Sequence, residues 1–147
     1  MTLAILLSGQ GGQHPAMFDL TADHPAAQDV FASARPLLGG TDPRDLARAG
    51  GDNLQANRTG QILCCVAALT AWRALAGAAS DRSIVAGYSI GDLAAWGVAG
   101  RLDHADVLAL AARRAEAMDA ASGAGFGLAG IRGLSLDALA DLAARHG

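Results

Sequence analysis

The sequence predicts an α/β layer architecture built on a parallel sheet, and three observations carry that expectation. Two short apolar runs, Leu3-Ala4-Ile5-Leu6-Leu7 and Arg82-Ser83-Ile84-Val85-Ala86, read as buried parallel strands and are too short to be helices. The order of elements is strand, helices, strand, helix, as packed α/β layers require. The first run ends in the loop Ser8-Gly9-Gln10-Gly11-Gly12-Gln13, at the C-terminal strand edge where open α/β sheets place ligands.

The segments fall into place in chain order. Residues 15–38 look helical in two pieces broken near His24-Pro25, and residues 39–52 are turn-rich with a short helix after Pro43. From Asn57 or Thr59 to about Ala76 runs a long helix, apolar nearly all round through Ile62, Leu63, Val66, Leu69 and Trp72, and therefore expected to be buried. A further helix starts at the N-cap Asp103, with Leu102 and Val107 placed as a hydrophobic staple. After the small-residue segment Ser122-Gly123-Ala124-Gly125, residues 126–131 read as a strand. Ser135 then caps a helix that runs through Leu136, Leu139 and Leu142 to Arg145.

Composition narrows the function classes. The chain has 147 residues, 52% hydrophobic and 17% charged, enough to bury a core as one soluble globular domain. A net charge of -3, with no Lys/Arg cluster, argues against nucleic acid as a partner. The longest apolar run, residues 62–69, is far short of a membrane span, and the N-terminus has no signal-peptide pattern, so a cytoplasmic location without membrane contact is expected. Cys64 and Cys65 lack metal-ligand spacing and sit adjacent within a helical pattern, where a vicinal disulfide would be strained. They read as buried free thiols, and no metal site is expected.

Chemistry enters at Gly87-Tyr88-Ser89-Ile90-Gly91-Asp92, a Gly-x-Ser-x-Gly pattern between the second strand and a helix. A strand reversing sharply into a helix crowds its backbone, and glycines allow the approach while the serine takes a strained conformation. Ser89 would stand at the helix start, where the Ile90 amide and the helix N-terminus can stabilise an oxyanion. The same residues also suit a glycine-rich turn with Ser89 as an ordinary N-cap. At about 100° per residue, Val107, Ala111, Arg114 and Met118 share one stripe, so Arg114 points inward while Arg113 faces solvent. An inward guanidinium needs a carboxylate, carbonyls or a ligand anion, or a stem long enough to carry its head to the surface.

Taken together, Gly9-Gln10-Gly11-Gly12-Gln13, Gly87-Tyr88-Ser89-Ile90-Gly91-Asp92 and Arg114 with Met118 resemble the successive signatures of malonyl-CoA:acyl carrier protein transacylases, in order and spacing. Asn57-Arg58-Thr59-Gly60-Gln61 resembles the family segment between the first two. Within that family, Tyr88 before the serine and Leu93-Ala94-Ala95-Trp96-Gly97-Val98-Ala99-Gly100 after it are most similar to the transacylase (epsilon) subunit of malonate decarboxylase. The resemblance implies an α/β-hydrolase-like acyltransferase core with a parallel sheet over residues 1–122. It also implies the first strand and helix of a ferredoxin-like subdomain over residues 123–147.

The implied site places Ser89 as the nucleophile, the backbone amides of Gln10 and Ile90 in the oxyanion hole, and Arg114 on the malonyl carboxylate. It implies no bound cofactor, with malonyl-CoA and an acyl carrier protein as thioester partners. Two departures from the family stand out. Tyr88 replaces the histidine that most members carry before the nucleophile. The family's general-base histidine would lie beyond residue 147, and none of His14, His24, His104 or His146 matches it; His104 is expected to be solvated near its cap. The expectation is therefore the N-terminal half of a transacylase, partnered by a C-terminal half chain or other malonate decarboxylase subunits. A non-catalytic acyl-CoA or carrier-protein binding fragment is the second class, and a serine hydrolase the third; the hydrolase would need an acid and a histidine after the serine and more strands before it.

Overall fold

The helix that organises the molecule is the one whose sequence is apolar on nearly every side. In the computed structural model, which describes residues 2–78, 82–123 and 131–146, Asn57–Leu75 forms that helix, with Ile62, Leu63, Cys65 and Val66 fully buried. In chain order the elements are β1 (Leu3–Leu7), α1 (Gln28–Ala34), α2 (Pro43–Ala49), α3 (Asp52–Gln55), α4 (Asn57–Leu75), β2 (Ser83–Gly87), α5 (Ile90–Val98), α6 (His104–Ala121) and α7 (Leu136–His146). Helix α4 packs against α1, α5 and α6, so the fold is α-rich around a small parallel sheet.

Strands β1 and β2 pair in parallel, with Leu3 opposite Ser83 and Leu7 opposite Gly87. Ile5, Leu7 and Val85 face the helices and join the core. The expectation of strands buried on both faces is corrected here. Leu6 is 80% exposed and Ile84 64%, because among the described residues helices cover only one side of the sheet. These strands have the two-sided apolar composition of a sheet covered on both faces.

The caps expected at Asp103 and Ser135 are in place, and α2 has a further one. Asp42 accepts from the Arg44 amide at 2.9 Å at the start of α2, Asp103 from the His104 amide at 2.7 Å, and Ser135 from the Ala138 amide at 3.2 Å. Two local expectations fail. Residues 15–23 form successive turns rather than a helix, with Met17 bonding back to His14 and Thr21 to Phe18. Flanking Pro15 and Pro25 and the Thr21 hydroxyl, which bonds the Phe18 carbonyl, favour such turns over a continuous ladder. The apolar purpose of the segment survives, since Phe18 packs edge-on against Phe31 at 5.3 Å. The short helix α3 was not expected in its turn-rich surroundings. The strand expected at residues 126–131 lies outside the described residues except for Ile131. Helix α7 follows Ser135 as expected, and none of its residues is buried.

Candidate active site

At the C-terminal ends of the two strands the backbone is as crowded as an elbow demands. A Cβ on Gly91 would lie 2.5 Å from the Ser8 carbonyl oxygen and 2.6 Å from that of Leu7, and one on Gly87 would overlap the Gly91 backbone. Tyr88 donates its amide to Leu7 at 3.0 Å, and its ring lies over Gly9. The Gly/Gln loop and the elbow are thus locked together. Between them Ser89 has φ 55° and ψ -117°, the one non-glycine positive φ among the described residues. Such a conformation costs about 1–3 kcal/mol and persists only where the surroundings enforce it.

The capping bond of the N-cap reading of Ser89 is not made. Its hydroxyl caps no helix amide, although it stands at the N-cap position of α5. It accepts instead from Arg114 Nη2 at 3.2 Å. The Ile90 residue at the helix start is fully buried, and Gln10 lies on the adjoining loop. Among the described residues, neither the Gln10 nor the Ile90 backbone amide donates to a protein acceptor. Ser89, Asp92, Leu93, Trp96, Leu110 and Arg114 line an open cleft of about 290 Å³.

Arg114 enters the cleft from α6, on the stripe with buried Val107 and Ala111, while Arg113 is exposed, as the wheel predicts. Its Nη1 donates to Gln61 Oε1 at 2.6 Å. Among the described residues no carboxylate makes an ion pair with it. A half-buried cation held by a neutral amide and a serine can accept an anion that enters the cleft.

The Gly/Gln loop is held from below. Gln13 is 6% exposed, and its Oε1 accepts from the Gly11 amide at 2.5 Å. Gly60 provides the slot: a Cβ there would overlap Gln13 Nε2 and come within 2.8 Å of Gln10 Nε2. Cys64 and Cys65, both free thiols, lie beneath the loop and the elbow, Cys64 Sγ 3.8 Å from the Gly9 carbonyl and Cys65 Sγ 4.0 Å from that of Ile90. Burial pushes their thiols up to about 11 and about 12.

None of the four histidines bonds Ser89. His14 lines a separate cleft with Gly12, Met17 and Cys64, and His24 Nδ1 accepts from the Ala26 amide at 3.3 Å. The expectation that His104 is solvated is corrected. Its side chain is 16% exposed, with Nε2 3.1 Å from Ser33 Oγ and Nδ1 2.8 Å from Asp103 Oδ1, in a network that reaches Arg73 and Asp29. Helix packing draws it in, because α1 and α4 close over the first turn of α6. The sequence places Gln61 in the family-like segment 57–61 but assigns it no role. A glutamine among apolar neighbours on a buried helix is the signal that could have found it.

The chain is similar in sequence and in fold to known proteins. No family model matches the chain. The malonyl CoA-acyl carrier protein transacylase of Escherichia coli K12 is 33% identical over 138 residues, which is 89% of this chain and 43% of the relative. The crystal structure of the acyl-carrier-protein S-malonyltransferase of Burkholderia pseudomallei superposes with a TM-score of 0.76 at 33% identity, covering 84% of this chain and 40% of that one. A malonyl-transacylase solved in complex with its type II PKS acyl carrier protein superposes with a TM-score of 0.74 at 28% identity, over 84% and 40%.

In fold, then, the chain is of the acyltransferase class. Over most of its length it is similar to malonyl-CoA:acyl carrier protein transacylases, and it spans less than half the length of the relatives it matches.

Proposed function

We propose that the chain carries the acyl-accepting half of a malonyl transfer from coenzyme A to an acyl carrier protein. The observation that supports this best is Arg114 on Ser89 at 3.2 Å, a cation with no carboxylate partner among the described residues, beside a strained serine. Ser89 Oγ attacks the thioester carbonyl of malonyl-CoA. The developing oxyanion is met by the Gln10 and Ile90 amides, the carbon–sulfur bond breaks, and coenzyme A leaves as the thiol, giving a malonyl ester on Ser89. Arg114 clamps the free carboxylate, which selects malonyl over acetyl. The phosphopantetheine thiol of the carrier then takes the acyl group.

The serine proton needs an acceptor, and the residue proposed for it is a histidine on a segment or chain outside these 147 residues. Residues 1–122 would belong to the large α/β-hydrolase-like core and α7 to a small ferredoxin-like subdomain, in a cytoplasmic protein. Tyr88 and the segment from Leu93 to Gly100 favour service to malonate decarboxylase. No helix among the described residues is long and apolar enough to cross a membrane.

The reading is tested by following thiol release from malonyl-CoA and malonyl transfer to two holo carriers, a fatty-acid carrier protein and the malonate decarboxylase carrier. Transfer that disappears in Ser89→Ala supports it, with preference for the second carrier favouring the decarboxylase assignment. Equal transfer by Ser89→Ala contradicts it.

A further inference from the structure

Arg114 is held by a hydrogen-bonded chain whose direction is dictated by its ends. An arginine can only donate, so the Gln61 atom 2.6 Å from Nη1 is the amide oxygen. The Gln61 nitrogen must then point the other way, and it donates to Asn57 Oδ1 at 2.7 Å and to Met118 Sδ at 3.4 Å. Asn57 in turn donates to Asp119 Oδ1 at 2.7 Å and to the Ala115 carbonyl at 3.3 Å. The formal negative charge of this chain therefore stands three links from the guanidinium, on an exposed residue of α6.

The other nearby acids are also kept off the guanidinium. Asp92 lines the same cleft but makes no ion pair with Arg114, and Glu116, two residues along α6, is engaged by Arg58 at 3.2 Å. Gln61 itself is fully buried. A glutamate at the same position differs by one atom and would set a carboxylate on Nη1, satisfying the charge of Arg114 from within the protein.

We infer that Gln61 determines carboxylate specificity by holding Arg114 with a neutral amide, fixing the guanidinium in the cleft while leaving its charge for the acyl carboxylate. The inference rests on the clamp proposed for Arg114. Gln61 is a positioning residue, since it touches the arginine and not the substrate.

The test is malonate binding, followed by NMR titration of wild type, Gln61→Glu, Gln61→Met and Arg114→Ala, with thermal unfolding of each. Gln61→Glu should lose malonate affinity by about tenfold or more while still unfolding cooperatively, because it supplies an internal counterion as it gives up the hydrogen bonds to Asn57 and Met118. Gln61→Met removes the acceptor but adds no charge, and should stay within about threefold of wild type. Malonate binding by Gln61→Glu equal to wild type overturns the inference and leaves the clamp standing. An equal loss in Gln61→Met and Gln61→Glu also overturns it, since the role is then support alone. Absence of malonate binding in wild type overturns the clamp and the inference with it.

Discussion

Arg114 and Ser89, 25 residues apart, meet across the cleft with Nη2 3.2 Å from Oγ. The contact depends on two independent constructions. The elbow forces Ser89 out at positive φ, and α6 carries Arg114 on its inward stripe. If the contact marks a carboxylate site beside a nucleophile, removing the guanidinium should change which acyl group is accepted before it changes the fold. Arg114→Ala should lower the malonyl-over-acetyl preference in thioester acylation by about a hundredfold. Arg114→Lys, which keeps the charge and loses the planar fork, should lower it by about tenfold. Competition between malonyl-CoA and acetyl-CoA checks both.

The crowding at the elbow makes a separate, purely structural prediction. Gly91→Ala pushes a methyl group into the Leu7 and Ser8 carbonyls, which cannot move without breaking the loop. It should destabilise the chain by about 3 kcal/mol or more. Gly11→Ala, where no atom lies within 4 Å, is burdened only by its φ of 115° and should cost less. Urea unfolding of the two variants gives the comparison.

Acid sensitivity should concentrate at the start of α2. Asp42 caps the Arg44 amide and takes the Arg44 side chain through both carboxylate oxygens, at 2.8 and 2.7 Å, while the guanidinium lies 4.5 Å from the Phe31 ring centre. The hydrogen bonds from Arg44 hold the Asp42 carboxyl below its ordinary value. A depressed folded pKa contributes stability that is present above the ordinary carboxylate range and is lost as pH falls through the folded value. Asp42→Ala should cost about 1–2 kcal/mol at neutral pH. It should also flatten the fall in stability between about pH 5 and pH 2, measured by denaturant midpoints across that range.

Alkaline sensitivity should come from beneath the site. Burial pushes the thiols of Cys64 and Cys65 up to about 11 and about 12 in the folded chain, against the usual 9.0. The folded state keeps these protons after the unfolded chain has begun to release them. The stability they contribute is therefore complete below about pH 9 and declines as pH rises toward 11. Cys65→Ala should show a shallower decline over that window. Native thiols should also react with iodoacetamide at pH 8 more slowly than the same thiols in urea, as mass spectrometry would record.

Much of this was legible in the residues because short-range rules decided it. The bounds of β1, the caps at Asp103 and Ser135, and the inward aim of Arg114 follow from local pattern and helix geometry. The elbow was legible because two glycines and a serine at that spacing answer a steric demand. Three features were not legible. Residues 15–23 show helical spacing, yet side-chain bonding and flanking prolines favour turns. His104 sits at a cap position that reads as solvated, and only the packing of α1 over it supplies Ser33 as a partner. Gln61 looks like an incidental polar residue until a side chain 53 positions away is found on it.

The most direct test of the central claim is the intact mass of the chain after prolonged incubation with malonyl-CoA, with Ser89→Ala in parallel and peptide mapping of any adduct. The account predicts a single malonyl increment on Ser89, gained slowly and faster as pH rises because solvent hydroxide must take the proton. Ser89→Ala and incubation with acetyl-CoA should give none. A folded wild-type chain that gains no increment, or an increment that persists in Ser89→Ala, would contradict it.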